Sequence, residues 1–238
     1  MFAILKREFR AYFTSPIGYV FVAVCMLTSG LVFRAEALVY GSADISGVFR
    51  FMFVVLMVAV PLLTMRLMAE DKRQKTDQLL LTAPISLNGL VAGKFLAAYV
   101  VFLLGIGIIP IYGVVLSFFA DVAWVPIWGN FLGIALLGGI YVALGLLISS
   151  LTENQMIAAV ASIFLNFVIS LLNTIVAFIP ARFLTDSVVS FFKQVSVYER
   201  YVQFTLGIFK VSNLLFFVSI AAVFVFLTAR LIDVRRWN

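Results

Sequence analysis

The residues best equipped for chemistry are few, and most of them sit in one short stretch. It reads Ala69-Glu70-Asp71-Lys72-Arg73-Gln74-Lys75-Thr76-Asp77-Gln78-Leu79-Leu80-Leu81-Thr82-Ala83-Pro84-Ile85-Ser86, and nowhere else is charge so dense. A charged block, a leucine run and a Pro-Ile-Ser stop follow in order. A solvated linker needs no such order. A short helix with a charged face and a leucine face suits a groove in a soluble partner, so the stretch reads as a docking element. A second set is uncharged. Ser162, Asn166, Ser170 and Asn173 recur at spacings of four, four and three, with Thr174 beside them, and so share one helical face. Polar groups in lipid rarely face the tails. Such a stripe either bonds helix to helix, at about 0.6–2 kcal/mol per contact, or lines a path for a polar substrate. The residues alone leave both open.

Other chemistry is excluded by what is missing. There is no histidine, which removes the commonest general base and the commonest metal ligand. Ser149, Ser150 and Ser162 have no evident base to activate them. No Gly-x-x-x-x-Gly-Lys-Ser/Thr occurs, so the chain is not expected to bind ATP through a P-loop. The apolar segments carry no Asp or Glu near their middles, so a proton-driven acidic relay is absent. The single cysteine, Cys25, forms no intrachain disulfide and reads as a small packed hydrophobe. The chain reads as a non-enzyme, with no catalytic residue, metal or cofactor of its own.

The elements that hold these residues are membrane-length. Of 238 residues, 64% are hydrophobic and only 12% charged, with a mean hydropathy of +1.15. Soluble domains carry about 25% charge, so lipid must be the solvent. The expected fold is an all-α integral membrane protein in one domain, residues 1–238. Six spans fall at about 17–39, 48–68, 90–119, 129–150, 156–179 and 213–231. In residues 1–16, Phe2, Leu5, Phe9 and Tyr12 alternate at helical spacing with Lys6, Arg7 and Arg10, which predicts an interfacial amphipathic helix ended by Pro16. The first span is too long for the core of a cleavable signal and reads as retained. Residues 69–89 form the cytoplasmic segment. Pro61 and Pro110 predict kinks. Gly129 and Gly133 give small-residue spacing for close helix packing. Trp124 and Trp128 fall in a short loop at the headgroups. Residues 180–212 form an extracytoplasmic loop with short re-entrant or amphipathic helices before the last span. With six spans the termini share a side. That side collects eleven of the 17 Lys and Arg residues, which makes it cytoplasmic by the positive-inside rule.

On these residues the segment 69–86 resembles the coupling segment of ABC-type-2 exporter permeases. That segment commonly reads Ala-Glu-Glu-Arg-x-x-Gly-Thr-x-Glu-Leu-Leu-Leu-Thr-x-Pro-Val-Ser after the second span. Glu70, Lys72, Arg73, Thr76, Leu79, Leu80, Leu81, Thr82, Pro84 and Ser86 match. Lys75 stands where the family usually has Gly, and Gln78 where it usually has Glu. The opening Ile4-Leu5-Lys6-Arg7-Glu8-Phe9-Arg10-Ala11-Tyr12-Phe13-Thr14-Ser15-Pro16-Ile17-Gly18-Tyr19 is similar to the first helix of the gliding-motility-type (GldF-like) and NosY-like branch. So is Tyr198-Glu199-Arg200-Tyr201-x-x-Phe204-x-x-Gly207-Ile208, although Lys210 and Asn213 replace acidic residues usual after that Gly.

The resemblance implies a multi-pass permease of a bacterial inner membrane. Two permease protomers would pair with two copies of a separate cytoplasmic ABC ATPase, which binds the ATP and magnesium. The second permease would be a different chain with a large extracytoplasmic domain, or another copy. Glu70, Lys72, Arg73, Thr76, Leu79, Leu80, Thr82 and Pro84 would receive the ATPase's motion. Ser162, Asn166, Ser170 and Asn173 are the candidate pathway or interface residues. No nucleic-acid role is expected. The alternative is a membrane scaffold that anchors a complex and moves nothing, favoured by the scarcity of charge inside the spans. A passive channel is a third reading.

Overall fold

The computed structural model describes residues 1–41, 44–75, 86–172 and 196–237. All regular structure among the described residues is helical. Helix α1 (Phe2–Thr14) ends at Ser15, whose backbone is extended, and Pro16 opens α2 (Pro16–Phe33). Proline in a first turn sacrifices no hydrogen bond, because the first N–H groups of a helix have no partner inside it. A π-helical stretch (Arg34–Val39) prolongs α2. Then follow α3 (Ser46–Thr64), α4 (Arg66–Arg73), α5 (Leu87–Ile106) and α6 (Ile109–Ser117). The rest comprises α7 (Trp124–Leu151), α8 (Gln155–Ser170), α9 (Val197–Thr205) and α10 (Val211–Trp237).

Among the described residues, five stretches are long and apolar enough to cross a membrane: Pro16–Ala37, Ser46–Arg73, Leu87–Ser117, Trp124–Leu151 and Val211–Val234. Where a span over 156–179 is expected, α8 supplies 16 residues, fewer than the roughly 20 a bilayer needs. Any continuation beyond residue 172, and most of the loop expected over 180–212, lie outside the described residues. Helix α7 starts at Trp124, not near 129, so the two tryptophans form its first turns and not a loop. Pro126 falls in the first turn of α7, where its missing N–H costs no helical bond. The predicted split at Pro110 takes the form of two helices, with Pro110 in the opening turn of α6.

Helix α7 is the central post. It packs against α3, α5, α8, α9 and α10, and glycines let it do so closely. A Cβ on Gly129 would lie 2.5 Å from the Phe204 carbonyl oxygen, and one on Gly138 would lie 2.0 Å from the Phe102 ring. The small-residue spacing at 129 and 133 thus serves contact with α9 inside the same chain.

A backbone debt and its settlement join α3 to α8. Pro61 sits inside α3 and has no N–H. The carbonyl of Met57, four residues back, therefore loses its helical donor. Asn166 Nδ2 on α8 donates to that oxygen at 3.3 Å. The bond lies at a fully buried residue, where an unpaired carbonyl costs about 1–3 kcal/mol. Asn166→Leu is expected to lower stability by about that amount. In a Pro61→Ala background, which restores the helical donor, the same change should cost much less. Thermal melting of the four purified proteins in one detergent measures the difference.

Candidate functional site

The described base of the 70–86 stretch is helix α4, which continues α3 across a break at Met65. The side chain of Met65 does not cap α4. Ser149 on α7 does so from outside. Its Oγ accepts from the backbone N–H groups of Met68 and Ala69, both at 3.0 Å, and donates to the Met65 carbonyl at 2.8 Å. One hydroxyl thereby satisfies two of the N–H groups that a helix start leaves open. One turn on, Lys72 Nζ donates to the Ser150 carbonyl. Two adjacent serines at the end of α7 thus hold α4 at its start and again one turn on.

Arg66 ties α4 to α1. Its guanidinium donates to Ser15 Oγ and to the Ala11 carbonyl, both at 2.9 Å. The second acceptor is a terminal carbonyl of α1, where the helix dipole favours a cation. The same guanidinium lies 5.0 Å from the Tyr12 ring centre and 3.9 Å from Glu70. Tyr12 is itself buried, and its hydroxyl donates to the Leu63 carbonyl at 3.0 Å. Burial pushes the Tyr12 phenol above its ordinary pKa, against a smaller opposing pull from Arg66. It therefore stays protonated and keeps donating.

The centre of this region is Lys94, the only charged residue between 87 and 120. Its residue surface is 1% exposed. The Nζ donates to the Leu67 carbonyl at 2.6 Å and to Glu8 Oε1 at 3.1 Å. It also lies 2.7 Å from Asp71 Oδ2, as an ion pair and not an aligned hydrogen bond. Three helices, α1, α4 and α5, meet at one ammonium. Taking such charges out of water costs several kcal/mol per ion, which only close partners offset.

The α4 helix ends in a left-handed residue. Lys75 has φ of 56°, and its N–H donates to the Lys72 carbonyl at 3.0 Å. This is the position after a helix cap where glycine is favoured, and where the pattern quoted above has glycine.

A model of the ABC-2 family of transporter proteins matches residues 26–236, nearly the whole chain. The chain belongs to that family. No curated protein matches it. As an ABC-2 chain it is the membrane component of an ABC transporter, a multi-pass membrane protein that works with an ABC ATPase subunit.

Sequence reasoning placed several site residues in this ABC-2 chain. Glu70 and Lys72 lie in α4 and make the contacts above; Gln74 also donates to Glu70 Oε1 at 3.2 Å. Arg73 is exposed beside the α7–α8 turn at Glu153 and Asn154. Thr76, Leu79, Leu80, Thr82 and Pro84 lie outside the described residues, as does Asn173. Ser162, Asn166 and Ser170 are all buried. Ser170 Oγ shares a hydrogen bond with the Tyr141 hydroxyl of α7. The face of α8 that carries Met156, Val160 and Phe164 is the exposed one.

Sequence reasoning missed Glu8, Arg66, Lys94, Ser149 and Ser150 as partners of the polar stretch. Lys94 carried a signal, since a charge one turn inside an apolar span needs a named counter-charge. Glu8 was hidden on a helix judged by its aromatic stripe, and it lies one turn before Tyr12 on the buried side of α1.

Two outcomes are expected. Glu8→Gln or Asp71→Asn alone leaves Lys94 one carboxylate and should cost about 1 kcal/mol, whereas the double variant should lose about 3 kcal/mol or more. A melting-based double-mutant cycle reads this excess over additivity. Lys75→Gly should gain about 1 kcal/mol, because glycine removes the left-handed penalty. If residue 75 were right-handed in solution, the same change would lower the melting temperature.

Proposed function

We propose that this chain is the permease subunit through which a separate cytoplasmic ATPase drives transport, with residues 70–86 as the coupling element. The observation that carries the reading is the buried clamp on α4. Ser149, Ser150, Lys94, Glu8 and Arg66 join the start of that element to α1, α5 and α7. A force applied to the rest of the element would reach α3 through the helix itself and the other helices through buried bonds. An exposed linker tied to nothing would dissipate the same force.

In this reading the bundle has six spans, α8 being the start of the fifth. Both termini and the polar stretch face the cytoplasm of a bacterial inner membrane, and α1 lies at its interface. ATP and magnesium bind to the partner ATPase, present in two copies. A second permease protomer, a different chain of the GldF-like and NosY-like kind or another copy, completes the assembly. The buried stripe Ser162, Asn166 and Ser170 serves as the seam between α8 and its neighbours α3 and α7. The bonds to Met57 and Tyr141 support that role.

The test is co-purification with the cognate ATPase after Leu79→Asp and Leu80→Asp. The double variant should lose the ATPase and any transport-linked ATP turnover, while its melting temperature alone in detergent stays unchanged. An ATPase that still co-purifies and couples normally would overturn the docking reading. Tight association without any substrate-stimulated turnover would instead identify a scaffold.

A further inference from the structure

At the opposite end of the bundle from α4, a cavity of about 610 Å³ opens among the first turns of α3 and α7 and the length of α9. That volume lies within the range of small-molecule sites, about 300–1,000 Å³. Its depth and its mouth differ in chemistry. Deep in it stand Phe49, Phe53, Tyr201 and Asn130, all buried. At the mouth stand Asp44, Arg50 and Asp121, all exposed.

The deep polar atoms are incompletely used. Asn130 is 1% exposed, and its Nδ2 donates to the Pro126 carbonyl at 2.8 Å, while its Oδ1 has no partner. Tyr201 is 3% exposed, and its hydroxyl has no partner either. Burial, with Tyr141 and Tyr198 nearby, pushes that phenol above its ordinary pKa, so it stays a neutral donor. A buried polar group without a partner is costly, and two of them on residues that line one cavity invite a ligand there. The Tyr201 ring is held in place by stacking on Phe53, with centres 5.1 Å apart.

We propose that this cavity is a binding site for an uncharged amphipathic molecule, an apolar body bearing one hydroxyl or amide group. The apolar body meets Phe49 and Phe53. The polar group donates to Asn130 Oδ1 and accepts from the Tyr201 hydroxyl. The charges nearest that depth, Asp44, Arg50 and Asp121, are of both signs and stand exposed at the mouth, Arg50 near enough to oppose part of the rise in the Tyr201 pKa, so a charged group drawn in to Asn130 would give up water without gaining a buried counter-ion. A hydroxyl needs none. The site does not depend on the ATPase reading, and its binding is measured on the permease alone.

The probes are octanol, octylamine and octanoic acid, each carrying the same photoreactive diazirine, applied to the purified chain in lipid nanodiscs. Labelled residues are mapped by mass spectrometry. The alcohol should label the first turns of α3 and α7 and residues of α9 at least fivefold above the amine and the acid. Tyr201→Phe, which keeps the ring and its stacking, and Asn130→Leu should each cut that labelling at least threefold. Both variants are melted alongside, so loss of fold is separated from loss of binding. Competition by benzyl alcohol from solution marks a water-borne ligand, and competition by diacylglycerol added to the bilayer marks a lipid one; either supports the site. Equal labelling by the three probes would overturn the proposal. So would labelling confined to lipid-facing residues, or labelling unchanged in Tyr201→Phe.

Discussion

Burying one ammonium sets the terms for the end of this fold that carries α1 and α4. Lys94 stands about two turns inside an apolar helix, at 1% exposure. In lipid or in a dry core it needs opposite charge within contact distance. The fold supplies it from two helices far apart in sequence, Glu8 of α1 and Asp71 of α4, together with the Leu67 carbonyl. That requirement keeps α1 against the bundle, although its exposed face, with Lys6, Arg7 and Arg10, is polar enough to leave it. It also fixes the rotation of α4, because only one face of that helix presents both Asp71 and the Leu67 backbone to α5. The aromatic and cationic contacts of Arg66 then have a defined surface to settle on.

The same economy recurs at two interruptions of the backbone. Membrane helices tolerate breaks only where another group satisfies the exposed donors and acceptors. Pro61 frees a carbonyl and Asn166 takes it. The break at Met65 exposes a carbonyl and two N–H groups, and Ser149 serves all three. Near the start of α10, Asn213 accepts from Arg200 at 3.0 Å and donates to Gln203 at 2.8 Å. An acid there, as in the pattern quoted above, would accept from the arginine but could not donate to Gln203 while ionised. At Pro61 and at Met65, the interruption is thus a place where two helices become specific for one another.

Much of the architecture was legible in the sequence because hydropathy reads directly as span. The apolar runs gave the helices, the prolines gave their divisions, and the dense charge of residues 70–75 marked the element that the buried clamp holds. The partnerships were not legible. Serine at 149 is unremarkable among apolar neighbours, and its value lies in which backbone atoms another helix leaves open. The pairing of Glu8 with Lys94 joins positions 86 residues apart, and no local periodicity reports it. Lys75 looked like a departure from a glycine pattern. In the fold it adopts the glycine's backbone conformation, so the departure is one of side chain and not of geometry. The Trp124–Trp128 stretch reads as a loop because tryptophans suit the headgroup region, while a helix start sits there equally well.

The two carboxylates around Lys94 also impose an order on biogenesis. Glu8 and Asp71 precede Lys94 in the chain, so both are translated before the cation needs them. When α5 leaves the ribosome and partitions toward lipid, its charge finds acidic partners already synthesised. The nascent helix is therefore never obliged to carry an isolated ammonium into hydrocarbon. Were the carboxylates C-terminal to Lys94, α5 would have to wait at the translocon until they emerged.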